Sequence, residues 1–319
     1  MRAIWVVVLL AGCQSEQVFP EVAQARQGVL GGAPAPDAGN VVAVRVTPAL
    51  GDIALCTGFL VSPNLVMTAR HCVSEISGTG CATETVGSAQ YQAYVPAAPV
   101  AAARFSVTQA LDVGAPGTFL DVSAVHVPAL ADGGVFCGND VALLELSRLA
   151  AGAPLPLRID APVVGEGYTA VGYGQDGADP TTPGVRRQRS GGTVTMLGPV
   201  RSTAGKLVVS EQDFVVSEGP CGGDSGGPAL DGQGLVIGVM SRGNPNVCTN
   251  MIYTQVAPHR AWVKDVVVAA AARAGIAVVP WVAAELPPPD AGAPDAGAAD
   301  AGSVDAGTAD AGAGDAGLP

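Results

Sequence analysis

The chain has 319 residues, enough for one large domain or two modest ones, and 48% of them are hydrophobic, enough to fill a core. Only 14% are charged and the formal net charge is −12, which excludes a nucleic-acid binder, because neutralising phosphates needs a basic face. The 43 Gly and 25 Pro call for many turns and favour an all-β protein over a helical bundle.

Residues 1–12 read as a secretory signal, with a positive charge at Arg2, an unbroken apolar run from Ala3 to Leu10, and small residues at Ala11 and Gly12. The run is too short to cross a bilayer. Leu10-Ala11-Gly12-Cys13 resembles the lipobox of bacterial lipoproteins. That resemblance implies acylation of Cys13 and a membrane partner, and it makes residues 13–28 a tether or propeptide. It also implies an exported protein, anchored at a bacterial outer membrane or cell surface. Seven Cys agree with this, since an odd count in an exported protein needs an explanation for one of them. Setting Cys13 aside leaves Cys56, Cys72, Cys81, Cys137, Cys221 and Cys248, enough for three disulfides in an oxidising compartment. No Cys-x-x-Cys pair occurs, so a zinc site is not expected; no other metal and no cofactor is expected either.

Short β-like runs follow, punctuated by Gly, Pro, Asn and Asp: Val41–Val46, Cys56–Ser62, Leu65–Thr68, Val141–Leu146, Tyr168–Tyr173, Leu207–Ser210, Leu235–Ser241 and Ile252–Val256. The stretch from Gly78 to Gly134 is less regular and is expected to hold long loops. One helix is predicted from about Pro258 to Ala274. Its Trp262, Val263, Val266, Val267 and Ala270 recur at helical spacing, and Gly275 follows as a stop. From Pro287 the composition changes. Asp-Ala-Gly recurs from Asp290, Asp295, Asp300, Asp305, Asp310 and Asp315, and these six Asp supply half of the net charge of −12. Small and acidic residues at a five-residue period cannot bury enough apolar surface to offset ordering entropy, so residues 285–319 read as a disordered tail. The spacing is not that of a calcium loop.

Three segments carry chemistry. Acyl transfer by a serine needs a base for its proton, an acid to orient that base, and donors for the oxyanion. Only three His are present. His71 follows the apolar run Leu65-Val66-Met67 and adjoins Cys72. Asp140 enters the apolar run Val141-Ala142-Leu143-Leu144, where it must find a partner. Ser225 sits in Gly222-Gly223-Asp224-Ser225-Gly226-Gly227, where glycines let a substrate approach the main chain. His126 reads as a strand or loop residue without catalytic duty, and His259, opening the helix, as solvated.

Thr68-Ala69-Arg70-His71-Cys72 resembles the TAAHC motif of trypsin-like and chymotrypsin-like serine proteases. Asn139-Asp140-Val141-Ala142-Leu143-Leu144 resembles their NDIALL motif, and Gly223-Asp224-Ser225-Gly226-Gly227-Pro228 matches GDSGGP. The order His, Asp, Ser is also theirs. The resemblance implies two six-stranded antiparallel Greek-key barrels with a C-terminal helix, over residues 29–284. It implies a monomeric endopeptidase acting on proteins or peptides. Ser225 would attack, His71 would relay the proton, Asp140 would hold His71, and the N–H groups of Gly223 and Ser225 would form the oxyanion hole. Cys56–Cys72 and Cys221–Cys248 match bridges of the family, which leaves Cys81 with Cys137.

Val29-Leu30-Gly31-Gly32 resembles the family's IVGG start, which in active members folds inward to an Asp in the position of Asp224. A zymogen is therefore expected. Gly28, not a basic residue, precedes Val29, and cleavage there would part the protease from Cys13. Gly219 occupies the place of the trypsin pocket Asp, flanked by Glu218 and Pro220, so a small or apolar side chain is expected before the scissile bond. Ser241-Arg242-Gly243 resembles a Ser-Trp-Gly segment, with Ser241 expected beside Asp140, Gly243 at the pocket entrance and Met251 on its wall. The competing expectation is a non-catalytic binding lipoprotein of the same fold.

Overall fold

A computed structural model of the chain describes residues 29, 31–47, 54–74, 81, 84–86, 89–91, 100–129, 137–174, 184–203, 207–243 and 248–286. Cys13, the segments 1–12 and 13–28, and the Asp-Ala-Gly repeats lie outside these residues.

Twelve strands build two closed barrels. The first contains β1 (Val41–Val46), β2 (Ala54–Ser62), β3 (Leu65–Thr68), β4 (Phe105–Thr108), β5 (Leu120–His126) and β6 (Ala142–Leu146). The second contains β7 (Gly167–Gly172), β8 (Arg187–Leu197), β9 (Asp213–Glu218), β10 (Pro228–Leu230), β11 (Val236–Arg242) and β12 (Thr249–Gln255). All pairings within them are antiparallel. Around the first ring the order is β1-β2-β3-β6-β5-β4, and the second repeats it as β7-β8-β9-β12-β11-β10. In each, three consecutive strands run side by side and the next three return in reverse, the Greek-key arrangement that the resemblance implied. Ala33–Pro34 adds a short seventh strand on the outside of β8.

Closure removes the sheet edges that would otherwise template aggregation. It also gives each barrel its own core. In the first, Val42, Val44, Phe59, Leu60, Met67 and Leu143 are fully buried; in the second, Phe214, Ile237, Met240 and Tyr253 are. Each such side chain contributes about 1.5–3 kcal/mol on leaving water. Phe214 stacks on Tyr253 with ring centres 5.4 Å apart.

The terminal helix α1 spans Arg260–Ala274, after a 3₁₀ turn at Ala257–His259, and ends at Gly275 in the left-handed conformation. Val263, Val267, Ala270 and Ala271 form its buried stripe. The stripe joins the core of the first barrel, and Asn64 Nδ2 donates to Ala270 O at 3.0 Å. A short helix α2 (Pro280–Ala283) closes against the same barrel, with Trp281 Nε1 donating to Val61 O at 3.1 Å. Among the described residues, no helix is long and apolar enough to cross a membrane.

The region from Gly78 to Gly134 holds strands besides the loops expected of it. It supplies β4 and β5 of the first barrel as well as the small hairpin Glu84–Val86 with Ala89–Tyr91. In β5, Leu-Asp-Val-Ser-Ala-Val-His, only Val122 is fully covered, so its strand character comes from pairing with β6 rather than from an apolar run. All three expected disulfides are present: Cys56–Cys72, Cys81–Cys137 and Cys221–Cys248.

Candidate active site

His71 lies in the 3₁₀ turn Arg70–Cys72 that ends β3, pinned to β2 through Cys72–Cys56. Asp140 lies just before β6 and is fully buried. Because β3 pairs with β6, with Thr68 opposite Ala142, the two loops leave the barrel side by side. Asp140 Oδ1 accepts from the backbone N–H of His71 at 2.9 Å, and Oδ2 lies 2.8 Å from Nδ1. An ionised carboxylate can only accept, so Nδ1 carries the proton and Nε2 is left as the basic nitrogen of the neutral ring. Burial alone would lower the His71 pKa. The charge and hydrogen bond of Asp140 oppose it and leave the imidazole raised above its ordinary 6.5, despite the opposing charge of Arg242.

Ser225 is half-buried, on the loop between Cys221 and β10. Its carbonyl accepts from Thr57 N at 2.8 Å, and Thr57 Oγ1 donates to Gly223 O at 3.0 Å. Thr57 belongs to β2, so a first-barrel strand grips the second-barrel loop. Gly226, with φ of +86°, lets the loop come this close. A Cβ there would stand 2.2 Å from both Thr57 O and Thr68 Oγ1, and 2.8 Å from Ala69 N, two residues before His71. The Ser225 loop and the His71 strand are thus in direct contact, and the interface between barrels brings the three predicted triad residues into one region.

Asp224 points the other way, into the second barrel. Its carboxylate is buried and accepts three backbone N–H groups: Gly174 at 2.7 Å, Cys221 at 2.9 Å and Val29 at 3.1 Å. Burial pushes its pKa up to about 6, against the pull of those three donors. Val29 is itself buried.

Around Gly219 and Gly243 space is scarce. A Cβ at Gly219 would meet Tyr168 Oη at 2.8 Å and Ala170 Cβ at 3.3 Å. The Tyr168 hydroxyl donates to Glu218 O, while the Glu218 carboxylate turns outward to pair with Arg189. A Cβ at Gly243 would stand 2.3 Å from Met251 Sδ, so the buried Met251 occupies the room beside Gly243.

Two expectations fail here. Ser241 is buried, yet among the described residues its Oγ is bonded by Arg242 Nη1 at 3.2 Å and not by Asp140, whose carboxylate is taken up by His71. His259 is not solvated. It is buried, and its Nε2–H donates to Gly138 O at 2.7 Å because the 3₁₀ turn ahead of α1 rotates it toward the loop carrying Asp140. His126 ends β5 and meets Glu145 at 2.9 Å, a strand position as expected.

Sequence reasoning missed Asp213 and Thr57. Asp213 stands before Phe214-Val215-Val216 as Asp140 stands before its own apolar run, so the same burial argument could have found it. Its carboxylate is fully buried and meets Arg242 Nη2 at 2.7 Å. Thr57 carries no sequence signal that separates it from an ordinary strand threonine.

Comparison with known proteins agrees with this architecture. The family described as Trypsin matches residues 29–263. The cercarial protease of Schistosoma mansoni is 28% identical over 214 residues, covering 59% of this chain and 70% of that protein. Kallikrein 1-related peptidase b21 of Mus musculus is 26% identical over 231 residues, covering 66% and 79%. A scabies mite inactivated protease paralogue superimposes with a TM-score of 0.55 at 23% identity, over 75% of this chain and 99% of that one. The match spans most of both barrels and includes the segments that carry His71, Asp140 and Ser225, and by it the chain belongs to the trypsin family of serine proteases.

Proposed function

We propose that this chain is a serine endopeptidase that hydrolyses proteins or peptides through an acyl-enzyme on Ser225. The observation that carries the reading is the His71–Asp140 pair, buried on the acid side and held in the tautomer a general base needs, on the strand that touches the Ser225 loop. Nε2 of His71 would take the Ser225 proton as Oγ attacks the carbonyl, then return it to the leaving amine. The backbone N–H groups of Gly223 and Ser225 would receive the oxyanion, each worth about 3 kcal/mol in the transition state.

The protease would be made as a zymogen. In the continuous chain the Val29 nitrogen facing Asp224 is a neutral amide. Cleavage after Gly28 would turn it into an ammonium opposite a buried carboxylate, a charge-assisted contact that braces the Ser225 loop. Substrate choice follows from Met251 beside Gly243 and Tyr168 against Gly219, which favour a small or apolar side chain before the scissile bond. Export as a lipoprotein through Cys13, with residues 13–28 as tether, 29–284 as protease domain and 285–319 as acidic tail, completes the proposal; three disulfides suit an oxidising compartment.

A fluorophosphonate probe tests the activity. The form beginning at Val29 should label at Ser225, located by mass spectrometry, and Ser225→Ala should abolish labelling. A folded, processed protein that stays unlabelled would overturn the protease reading and leave a binding module of the same fold.

A further inference from the structure

Asp213 ties three separate segments to its own turn through one carboxylate. Oδ2 accepts from Arg242 Nη2 at 2.7 Å and from Ser210 N at 3.3 Å. Oδ1 accepts from Thr254 Oγ1 at 3.0 Å and from Gly138 N at 3.1 Å. Gly138 is the significant partner, because it lies two residues before Asp140 and directly after Cys137. Its carbonyl is held as well, by His259 Nε2 at 2.7 Å. Arg242 Nη2 also lies 3.0 Å from Cys81 Sγ, on the disulfide that ties Cys137 down. Both polar backbone groups of Gly138, and the bridge beside it, are therefore clamped by the second barrel and the approach to the terminal helix. The Asp140 segment itself belongs to the first barrel.

We infer that Asp213 is a positioning residue for the catalytic acid: its buried carboxylate, neutralised by Arg242, fixes the Gly138 peptide and so aims Asp140 at His71. This rests on the reading of His71 and Asp140 as the catalytic pair. The physical need is specific. Among the described residues, Asp140 makes both of its hydrogen bonds to one residue, His71, through the backbone N–H and Nδ1. Both are lost together when the preceding peptide rotates. A buried carboxylate without a cation would be costly, which explains why an arginine stands in the strand position that β11 turns inward. Arg242 also acts on His71 through space, its charge opposing that of Asp140.

The test separates the hydrogen bond from the charge. Asp213→Asn alone would strand a buried guanidinium, so two double variants are compared: Asp213→Asn/Arg242→Met, which keeps an acceptor for Gly138 N, and Asp213→Ala/Arg242→Met, which removes it. The two have the same charge. In the processed protein, the titration of His71 is followed by NMR, with His126 and His259 assigned by substitution. Asp140 and Arg242 are the charged groups that bear on it, and Arg70 interacts in turn with Asp140. The alanine pair should titrate lower than the asparagine pair by about half a pH unit or more, because a misaimed Asp140 no longer supports the imidazolium. Fluorophosphonate labelling of Ser225 should slow about tenfold in the same variant with an undiminished number of reactive sites. Simple loss of folded protein would reduce the number of sites and leave the His71 midpoint in place. Should the alanine pair not fold, His259→Leu, which frees the carbonyl of Gly138 without burying a charge, should lower the midpoint in the same way. Equal midpoints in the two double variants, or an unmoved midpoint in His259→Leu, overturn the inference. The titration needs no turnover, so a protein that never labels would refute the protease reading while the positioning result still stands or falls on its own.

Discussion

In the first barrel, β2 is buried from Cys56 to Ser62 and β6 along its whole length, whereas β8 of the second barrel leaves most of its eleven residues partly or fully exposed. The ring order is the same. What differs is the means of placing loops. The first barrel sets His71, and the strand that follows Asp140, by close packing of apolar strands and one disulfide beside the base. The second works through polar hubs inside its wall, the Asp224 carboxylate bracing the Ser225 loop and the Asp213 carboxylate holding Gly138 ahead of Asp140, each satisfied by several donors. Apolar packing is indifferent to pH, while a buried carboxylate is not. The two halves of the site should therefore fail in different ways when disturbed.

The largest effect is expected on the first-barrel side. Asp140→Asn preserves shape but offers His71 Nδ1 a donor in place of an acceptor at one of its atoms. The ring then settles in the wrong tautomer, with Nε2 protonated. Rate should fall about 10⁴-fold, the loss typical of that error in a Ser-His-Asp triad, with the fold intact by circular dichroism. A loss of less than about tenfold in labelling rate would mean that packing alone orients His71.

Next in size is the seam between barrels. Gly226→Ala places a methyl 2.2 Å from Thr57 O and Thr68 Oγ1 at a φ of +86°, so overpacking and backbone strain together should cost about 3–4 kcal/mol in urea unfolding. Gly191→Ala supplies the control. It shares a φ of +87° but has nothing within 4 Å, and should cost only about 1–2 kcal/mol, the backbone penalty alone. Equal losses at both positions would show that the seam is looser than the contact implies.

Legibility in the sequence divided along the same line. Val41–Val46 and Leu65–Thr68 were readable to the residue, because their covered stretches, Val41 to Val44 and Leu65 to Met67, are unbroken apolar runs. Strand β8, Arg-Gln-Arg-Ser-Gly-Gly-Thr-Val-Thr-Met-Leu, has no such run and is a strand because β7 and β9 bond to either side of it. Strand β9 is short and opens with the ionisable Asp213, whose burial makes sense only once Arg242 is brought in from 29 residues away. The proposed triad positions were legible because glycines and polar residues interrupt apolar runs in a pattern that resembles a known family. Thr57, His259 and Asp213 act through contacts that no local pattern records. Arg242 was noticed only as a departure at its position, and its partner stayed hidden.

The Asp224 hub of the second barrel predicts a pH dependence that processing should remove. In the uncleaved chain, Asp224 is raised from 3.8 to about 6, so between those values the folded state binds more protons than the unfolded one. Unfolding free energy should then decrease as pH rises through this window, by about 3 kcal/mol for Asp224 taken alone, and level off above it. Freeing Val29 places an ammonium against the carboxylate and should erase the window. Urea unfolding of a form beginning at Gln27 and of the Val29-initiated form at pH 4.5 and 7 isolates the effect, since the two differ only by Gln27, Gly28 and the place of the amino terminus. Parallel pH profiles for the two forms would show that the new amino group does not reach Asp224.

The smallest effect is expected where the second barrel meets the substrate. Met251 fills the room beside Gly243 with a flexible thioether, which can be trimmed without a backbone penalty. Met251→Ala should therefore enlarge the pocket and shift preference, raising kcat/KM for a peptide with Phe before the scissile bond relative to one with Ala by about tenfold, or about 1.4 kcal/mol. The stability cost should fall at the lower end of the range for a buried methionine, about 2 kcal/mol, if water or substrate enters the space. A stability loss with no change in preference would place Met251 in the core of the barrel alone. The two outcomes decide whether the second barrel chooses its substrate with an apolar side chain or leaves that choice to the polar segments around Glu218 and Arg242.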